Sequence, residues 1–115
     1  MNATPSLLIV VPTLNSFQFL PRLTASLQSQ SFRNWRLLFV DGPSQSDHRY
    51  WLDQFCSSES RASWIRQLPS QPGIFGAMNQ GFAAAGPFDW PLFWGSDDWA
   101  ATPDVLAEVF DSLEL

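Results

Sequence analysis

Two hydrophobic patterns take turns along this chain: short unbroken apolar runs, and stretches whose apolar positions recur every three or four residues. Leu7-Leu8-Ile9-Val10-Val11 is an unbroken, partly β-branched run ended by Pro12, the pattern of a strand buried on both faces. Thr13-Leu14-Asn15-Ser16 reads as a turn rich in helix-capping side chains. Phe17, Leu20, Leu23 and Leu27 then recur at helical spacing, with Pro21 tolerable only in a first turn. Trp35 to Val40 predicts a second strand, broken by Asp41-Gly42-Pro43. The segment from Asp47 to Cys56 predicts a second helix, with Tyr50, Trp51 and Phe55 as its apolar side.

The alternation continues to the carboxyl end. Ser63 to Leu68 is a weaker third strand before the loop Pro69-Ser70-Gln71-Pro72-Gly73. Ile74, Met78, Phe82 and Ala85 describe a helix stopped by Gly86-Pro87. Leu92 to Trp94 predicts a fourth, buried strand. Thr102 as N-cap and Pro103 at the first helical position open a last helix, whose stripe is Val105, Leu106, Val109, Phe110 and Leu113. Strands alternating with helices predict an α/β fold: a doubly wound, mostly parallel sheet with helices on both faces. Neither a repeat nor a linker interrupts it, so residues 1–115 read as one domain.

In such a sheet every strand-to-helix loop opens on one edge, where ligands bind. That gathers Thr13 to Asn15, Asp41 to Asp47 and Gly95 to Asp98 into one crevice. The last of these, Gly95-Ser96-Asp97-Asp98, sets two acids side by side just after a strand. Neighbouring carboxylates repel, and a hard divalent cation relieves the repulsion while bridging to a phosphate-bearing ligand. The competing reading is a helix cap, since Ser and Asp favour helix starts.

Composition narrows the chemistry. Hydrophobic residues make up 45% of the chain, and six Trp and ten Phe supply enough apolar area for a core. No apolar stretch approaches membrane-spanning length and no signal peptide is evident, so a cytoplasmic protein is expected, reaching a membrane only through partners. Net charge is −5 and all six basic residues are arginine, so a P-loop, which needs a lysine on the phosphates, is excluded. The arginines form no basic stripe, which argues against nucleic acid. A single cysteine, Cys56, and a single histidine, His48, exclude an internal disulfide and argue against a Cys/His zinc site. Cys56 reads as a partly buried apolar residue and His48 as an ordinary surface residue.

These segments in this order resemble the family 2 glycosyltransferases, enzymes of the GT-A fold that use nucleotide-diphospho-sugars. Ile9-Val10-Val11-Pro12-Thr13-Leu14-Asn15 is similar to the family's opening strand and "PTYN" turn. Ser26 to Phe32 followed by Trp35 to Asp47 resembles its "Q(S/T)…DDGSxD" segment, and Gln71 to Gly81 its "KGIYDAMNKG" variant. Ser96-Asp97-Asp98 falls where the family keeps its DxD-type metal motif. The resemblance implies that Thr13 and Asp41 contact the nucleotide base, with Asn15 shaping the same turn and Asn79 reaching the nucleotide from its helix. It implies Asp97 on the ribose or a metal-bound water, and Asp98 as ligand of Mn2+ or Mg2+ on the diphosphate. Met78 stands where many relatives carry arginine, and Gly95 where others carry Asp or Asn.

The family's catalytic domain continues well beyond its SDD segment, and that continuation supplies the acceptor site and, in inverting members, the general base. Here the sequence ends one predicted helix later, at Leu115, so the expected role is an amino-terminal, donor-binding portion of a glycosyltransferase, incomplete for catalysis. The remaining acids, Asp89, Asp104 and Asp111, read as surface or first-turn residues rather than as that base. A reading of a different class makes the chain an inactive α/β module. Phe93, Trp94 and Trp99 would then lie exposed near the fourth strand, for self-association as a homodimer or for a completing partner chain. A flavodoxin-like or receiver-like module shares the alternation but does not account for the PTLN and GSDD segments together.

Overall fold

The computed structural model describes residues 5–113. Four strands and four helices alternate: β1 (Ser6–Thr13), α1 (Leu20–Gln28), β2 (Trp35–Asp41), α2 (Ser46–Ser58), β3 (Ala62–Arg66), α3 (Gly73–Ala83), β4 (Asp89–Phe93) and α4 (Val105–Asp111). All neighbouring strands are parallel, in the order β3-β2-β1-β4. The predicted α/β architecture is the observed one.

The unbroken apolar runs follow from coverage on both sides of the sheet. Leu7, Ile9 and Val11 of β1 face one side, with Trp35, Leu37 and Phe39 of β2. There they meet Leu20, Leu23 and Leu27 of α1, Leu52 of α2 and Leu106 of α4, all fully buried. Leu8, Val10, Leu38 and Val40 face the other side and meet α3 through Ala77. The covering is lopsided: three helices against one. The single helix packs closely because Gly81 brings its backbone onto the sheet, where an added Cβ would lie 2.3 Å from Val10 Cγ1.

Several expectations are corrected. Tyr50 is 66% exposed, and the inner face of α2 is His48, Trp51, Leu52 and Phe55. Those four follow a three-and-four spacing that Tyr50 does not share. Phe17 precedes α1 and is partly exposed, because the chain makes a turn there before the helix begins at Leu20. The last helix starts at Val105 with Asp104 as its cap, not at Pro103 after Thr102. The Pro103 carbonyl is instead drawn out to accept from the Ser31 N–H at 2.7 Å.

The fourth strand is also displaced, spanning Asp89–Phe93 at the edge of the sheet rather than Leu92 to Trp94 within it. Trp90, Pro91 and Phe93 are exposed there, while Trp94 packs against the larger core cluster. Ser6 N–H donates to Phe88 O at 3.0 Å and Trp94 N–H to Val10 O at 2.9 Å. This register sets the even-numbered residues of β4 against β1, so the N–H that Pro91 lacks belongs to the open side. A proline in this strand is therefore tolerated by its edge position.

Candidate functional site

The register of the sheet builds the site. Thr13 of β1 lies opposite Asp41 of β2, and Asp41 opposite Arg66 of β3, all at the carboxyl ends of their strands. The Asp41 side chain is completely buried. Its Oδ1 accepts from Thr13 Oγ1 at 2.8 Å and Ser44 Oγ at 2.7 Å, and its Oδ2 accepts from Arg49 Nε at 3.2 Å. A buried carboxylate persists only when paired and hydrogen-bonded, and these three donors meet that demand. Asn15 adds a second tie between the same two loops. Its backbone takes a left-handed φ of 48°, its N–H donates to Ser44 Oγ at 2.9 Å, and its Oδ1 accepts from Gln45 N–H at 2.7 Å.

His48 corrects the sequence expectation outright, because its side chain is wholly buried rather than on the surface. It lies one helical turn before Leu52 on the inner face of α2, with Nδ1 3.4 Å from Asp41 Oδ1 and Phe17 edge-on at 6.1 Å. Neither ring nitrogen has a hydrogen-bond partner. Burial pushes its pKa below the ordinary histidine value, against the opposing pull of Asp41 and Asp47 and with Arg49 adding to the depression. A neutral imidazole is therefore the resident form at neutral pH.

Above this network lie two adjoining clefts of about 360 and 560 Å³, sharing Gly42, Pro43, Gln67 and Gly73. The smaller also touches Thr13, Leu14, Ile74 and Ser96, and the larger Asp41, Arg49 and Arg66. Leu14 and Ile74 remain 58% and 56% exposed at the mouth. Gln67 is clamped beside them, its backbone N–H donating to Asp41 O at 2.8 Å and its side-chain amide to Gln71 O at 2.6 Å and Gly73 O at 2.8 Å.

Asp97 and Asp98 occupy a turn just past β4, both exposed, next to Ser96 in the smaller cleft. Asp98 N–H closes the turn onto Gly95 O at 3.1 Å. A Cβ on Gly95 would lie 2.7 Å from Asp98 Oδ2 and 3.3 Å from Asp97 Oδ1, so oxygens of both acids converge over that glycine. A side chain at position 95 would push the Asp98 carboxylate aside. The donor set is two hard oxygen groups, with no third His, Cys, Asp or Glu beside them among the described residues. Hard oxygen donors of this kind would suit Mn2+ or Mg2+, which would need further ligands from outside the pair. The helix-cap reading does not hold for this pair, since α4 begins only at Val105 and its cap is Asp104.

The segment after the acids is tied to α1. The Arg22 guanidinium lies 3.6 Å from the Trp99 ring centroid, Ala100 N–H donates to Ser26 Oγ at 2.9 Å, and Gln30 bridges the Thr102 carbonyl and the Leu106 N–H. Asn79 is exposed on α3 and lines neither cleft; the helix presents Gly73, Ile74 and Ala77 there. Asp89 lies at the start of β4, at the opposite end of the sheet, accepting from Ser6 Oγ and Gly86 N–H and paired with Arg36. Burial raises its pKa, but those bonds outweigh burial and hold it below the usual value. Asp104 accepts from Ser31 Oγ at 2.8 Å, and Asp111 ends α4. Ser44, Arg49 and Gln67 were missed because polar residues in loops and helix starts carry no signal of their partners. The expected third strand, Ser63 to Leu68, runs past Gln67, whereas β3 ends at Arg66 and leaves Gln67 on the loop at the cleft edge.

No helix among the described residues is long and apolar enough to cross a membrane. Among solved structures, S. aureus TarS residues 1–349 superpose with a TM-score of 0.79 at 21% identity, covering 95% of this chain and 32% of that one. The mannosyltransferase PcManGT of Pyrobaculum calidifontis, solved with GDP-Man and Mn2+, gives 0.78 at 15% identity over 94% of this chain and 32% of its own. The sheet and its helices therefore have the fold of these GT-A glycosyltransferases. The PGL/p-HBAD biosynthesis glycosyltransferases of Mycobacterium bovis and Mycobacterium tuberculosis are 33% identical over 107 residues, 93% of this chain but 41% of theirs. The chain thus spans about two-fifths of the length of these curated relatives. The family model for glycosyl transferase family 2 matches residues 8–114, from the first buried strand through the paired acids, and the chain belongs to that family.

Proposed function

We propose that this chain holds a nucleotide-diphospho-sugar donor for glycosyl transfer, with a divalent cation at Asp97 and Asp98. The observation that carries this reading is the convergence of two exposed carboxylates over Gly95, beside a cleft floored by the Asp41 network. Bound neighbours of the same fold support it: TarS is solved with UDP-GlcNAc, and PcManGT with GDP-Man and Mn2+. Asp98 ligates Mn2+ or Mg2+, and Asp97 takes the ribose side or a metal-bound water. When bound, the ion would offset the negative charge that develops on a departing diphosphate. Thr13, Asn15 and Asp41 fix the two loops that form the cleft, and Asp41 acts from beneath it through Thr13, Ser44 and Arg49. Asn79 stands outside the clefts and serves the nucleotide only if the donor extends along α3. The acceptor is a sugar or glycan, and the hydrogen bonds of Asp89 with Ser6 and of Asp104 with Ser31 support reading these acids as structural rather than as the base that activates it.

Calorimetry with UDP and GDP, with and without Mn2+, tests the reading. Micromolar-to-millimolar affinity that needs Mn2+ is expected, the range usual for substrates. Asp98→Ala should abolish the metal dependence while the circular dichroism spectrum stays unchanged. Absence of nucleotide binding by the folded chain with Mn2+ present overturns the proposal. A second reading, docking of a partner chain or a second copy, draws on the exposed Phe88, Trp90 and Phe93 around β4. Pro91 blunts that edge against strand addition, so such docking would rest on the aromatic side chains alone. Light scattering that shows a strict monomer removes the homodimer.

A further inference from the structure

We infer that Ser26 and Gln30 are positioning residues for the paired acids, holding the chain behind Asp98 so that both carboxylates stay converged over Gly95. The inference rests on the metal-site reading above. Oxygens of Asp97 and Asp98 converge on the space over Gly95, and like charges so placed push apart. Residues 94–104 belong to no helix or strand, and the turn itself is closed by the bond from Asp98 N–H to Gly95 O. What keeps the acids in place must therefore come from either side of them. Ahead of the acids the hold is the sheet, where Trp94 N–H donates to Val10 O at 2.9 Å. Behind them it is α1.

Arg22, Ser26 and Gln30 are spaced four apart and share one side of α1, with Gln30 just past its end. They meet Trp99, Ala100 and Thr102 in the same order, so the chain after the acids is laid along that row. Ser26 Oγ donates to Leu23 O at 2.7 Å and accepts from Ala100 N–H at 2.9 Å. Ala100 is buried, so loss of the hydroxyl leaves its N–H unpaired. Gln30 is 2% exposed and spends its whole carboxamide: Nε2 donates to Ser26 O at 3.0 Å and Thr102 O at 2.8 Å, and Oε1 accepts from Leu106 N–H at 3.0 Å. That last N–H lies in the first turn of α4, whose own cap, Asp104, makes no side-chain bond to it. Gln30 thus caps α4 from the end of another helix. Neither Ser26 nor Gln30 lines either cleft, so their bearing on a ligand runs through the acids. A metal site keeps its affinity when groups behind the ligands hold them near the productive geometry.

The test is calorimetry on the full chain at fixed UDP or GDP, and its readout is the Mn2+ concentration giving half-maximal nucleotide binding. Ser26→Ala and Gln30→Met should each raise that midpoint about tenfold, while binding at saturating Mn2+ stays that of wild type. Ser26→Thr keeps the hydroxyl and should stay within about twofold of wild type. Thr24→Ala is the control. Thr24 is buried in the same helix and bonds the Leu20 and Pro21 carbonyls, so its loss should destabilise the fold without moving the midpoint. A merely structural role lowers the folded fraction, which changes how much nucleotide binds and not the Mn2+ midpoint. If Gln30→Met does not fold, Ser26→Ala decides. A wild-type midpoint in folded Ser26→Ala overturns the inference, as does an equal shift in Thr24→Ala, and either outcome leaves the metal site standing. Nucleotide binding by the wild type that is indifferent to Mn2+ removes the metal site and this inference with it.

Discussion

Two acidic sites sit at the carboxyl edge of the same sheet, and they differ in almost every physical respect. Asp41 is sealed, and Thr13, Ser44 and Arg49 supply its hydrogen bonds. Asp97 and Asp98 lie in the open, two like charges converging over Gly95. A buried carboxylate without donors is too costly to persist, so the fold answers Asp41 internally. An exposed pair is tolerated by water and leaves its lone pairs for a ligand. Burial thus separates the acid that organises the loops from the acids free to bind something, although all three follow strand ends in the sequence.

Substitutions that exchange or erase this difference should rank in a definite order on folding stability. Asp41→Ala leaves Arg49, Thr13 and Ser44 facing an empty position, and about 3–5 kcal/mol of stability should be lost in urea unfolding. A loss below about 1 kcal/mol would mean the network does not hold the loops together.

His48 provides the next largest effect, through pH. Its folded pKa is depressed by burial, so the unfolded chain takes up the proton first as pH falls. Stability is full above the unfolded value of about 6.5 and falls from there through the folded value, by at most about 1.4 kcal/mol per pH unit. His48→Leu, which cannot take up that proton, should flatten this part of the curve in unfolding measured from pH 7 to 5. An unchanged slope means the histidine is not buried as a neutral group. Glu59, held to about 2 by its bond from Arg61 against the opposing effect of burial, acts only at lower pH, where its contribution disappears as pH falls below about 4.3.

Arg22→Ala removes the guanidinium from Trp99 and should cost about 0.5–1 kcal/mol. It should also weaken Mn2+ affinity, because the segment following the acids loses an anchor on α1. Asp98→Ala should have the smallest effect on folding, within about 0.5 kcal/mol of wild type, even as metal-dependent binding is lost. A large destabilisation by Asp98→Ala would erase the distinction between the two sites. Gly95→Ala sharpens it: the added methyl displaces the Asp98 carboxylate, so metal binding should drop with little change in melting temperature.

Much of this was legible in the chain. The runs Leu7–Val11 and Trp35–Val40 are apolar on successive residues, and only a strand covered on both faces explains that. Leu20, Leu23 and Leu27 mark the inner face of α1 by spacing alone. The three loops converge as expected because a parallel sheet places every strand-to-helix turn on one edge. His48, Tyr50 and the fourth strand were misread for a shared reason. Local pattern reports the period of an element but not which phase of it meets the core, nor whether a strand lies inside or at the edge. His48 is polar in type yet takes the inward phase of α2, and Leu92 is apolar in type yet sits on an edge strand.

The sequence by itself determined the α/β alternation, the order of the motifs, and the two adjacent acids after a glycine. These are properties of neighbours along the chain, set by side-chain period and turn chemistry. Only the tertiary structure decided that Asp41 is answered by protein while Asp97 and Asp98 are not, and that His48 is enclosed. Those outcomes depend on partners distant along the chain, as Thr13 is 28 residues from Asp41, and on the register that brings them together. Burial and donor supply are set by that register, and no local pattern encodes it.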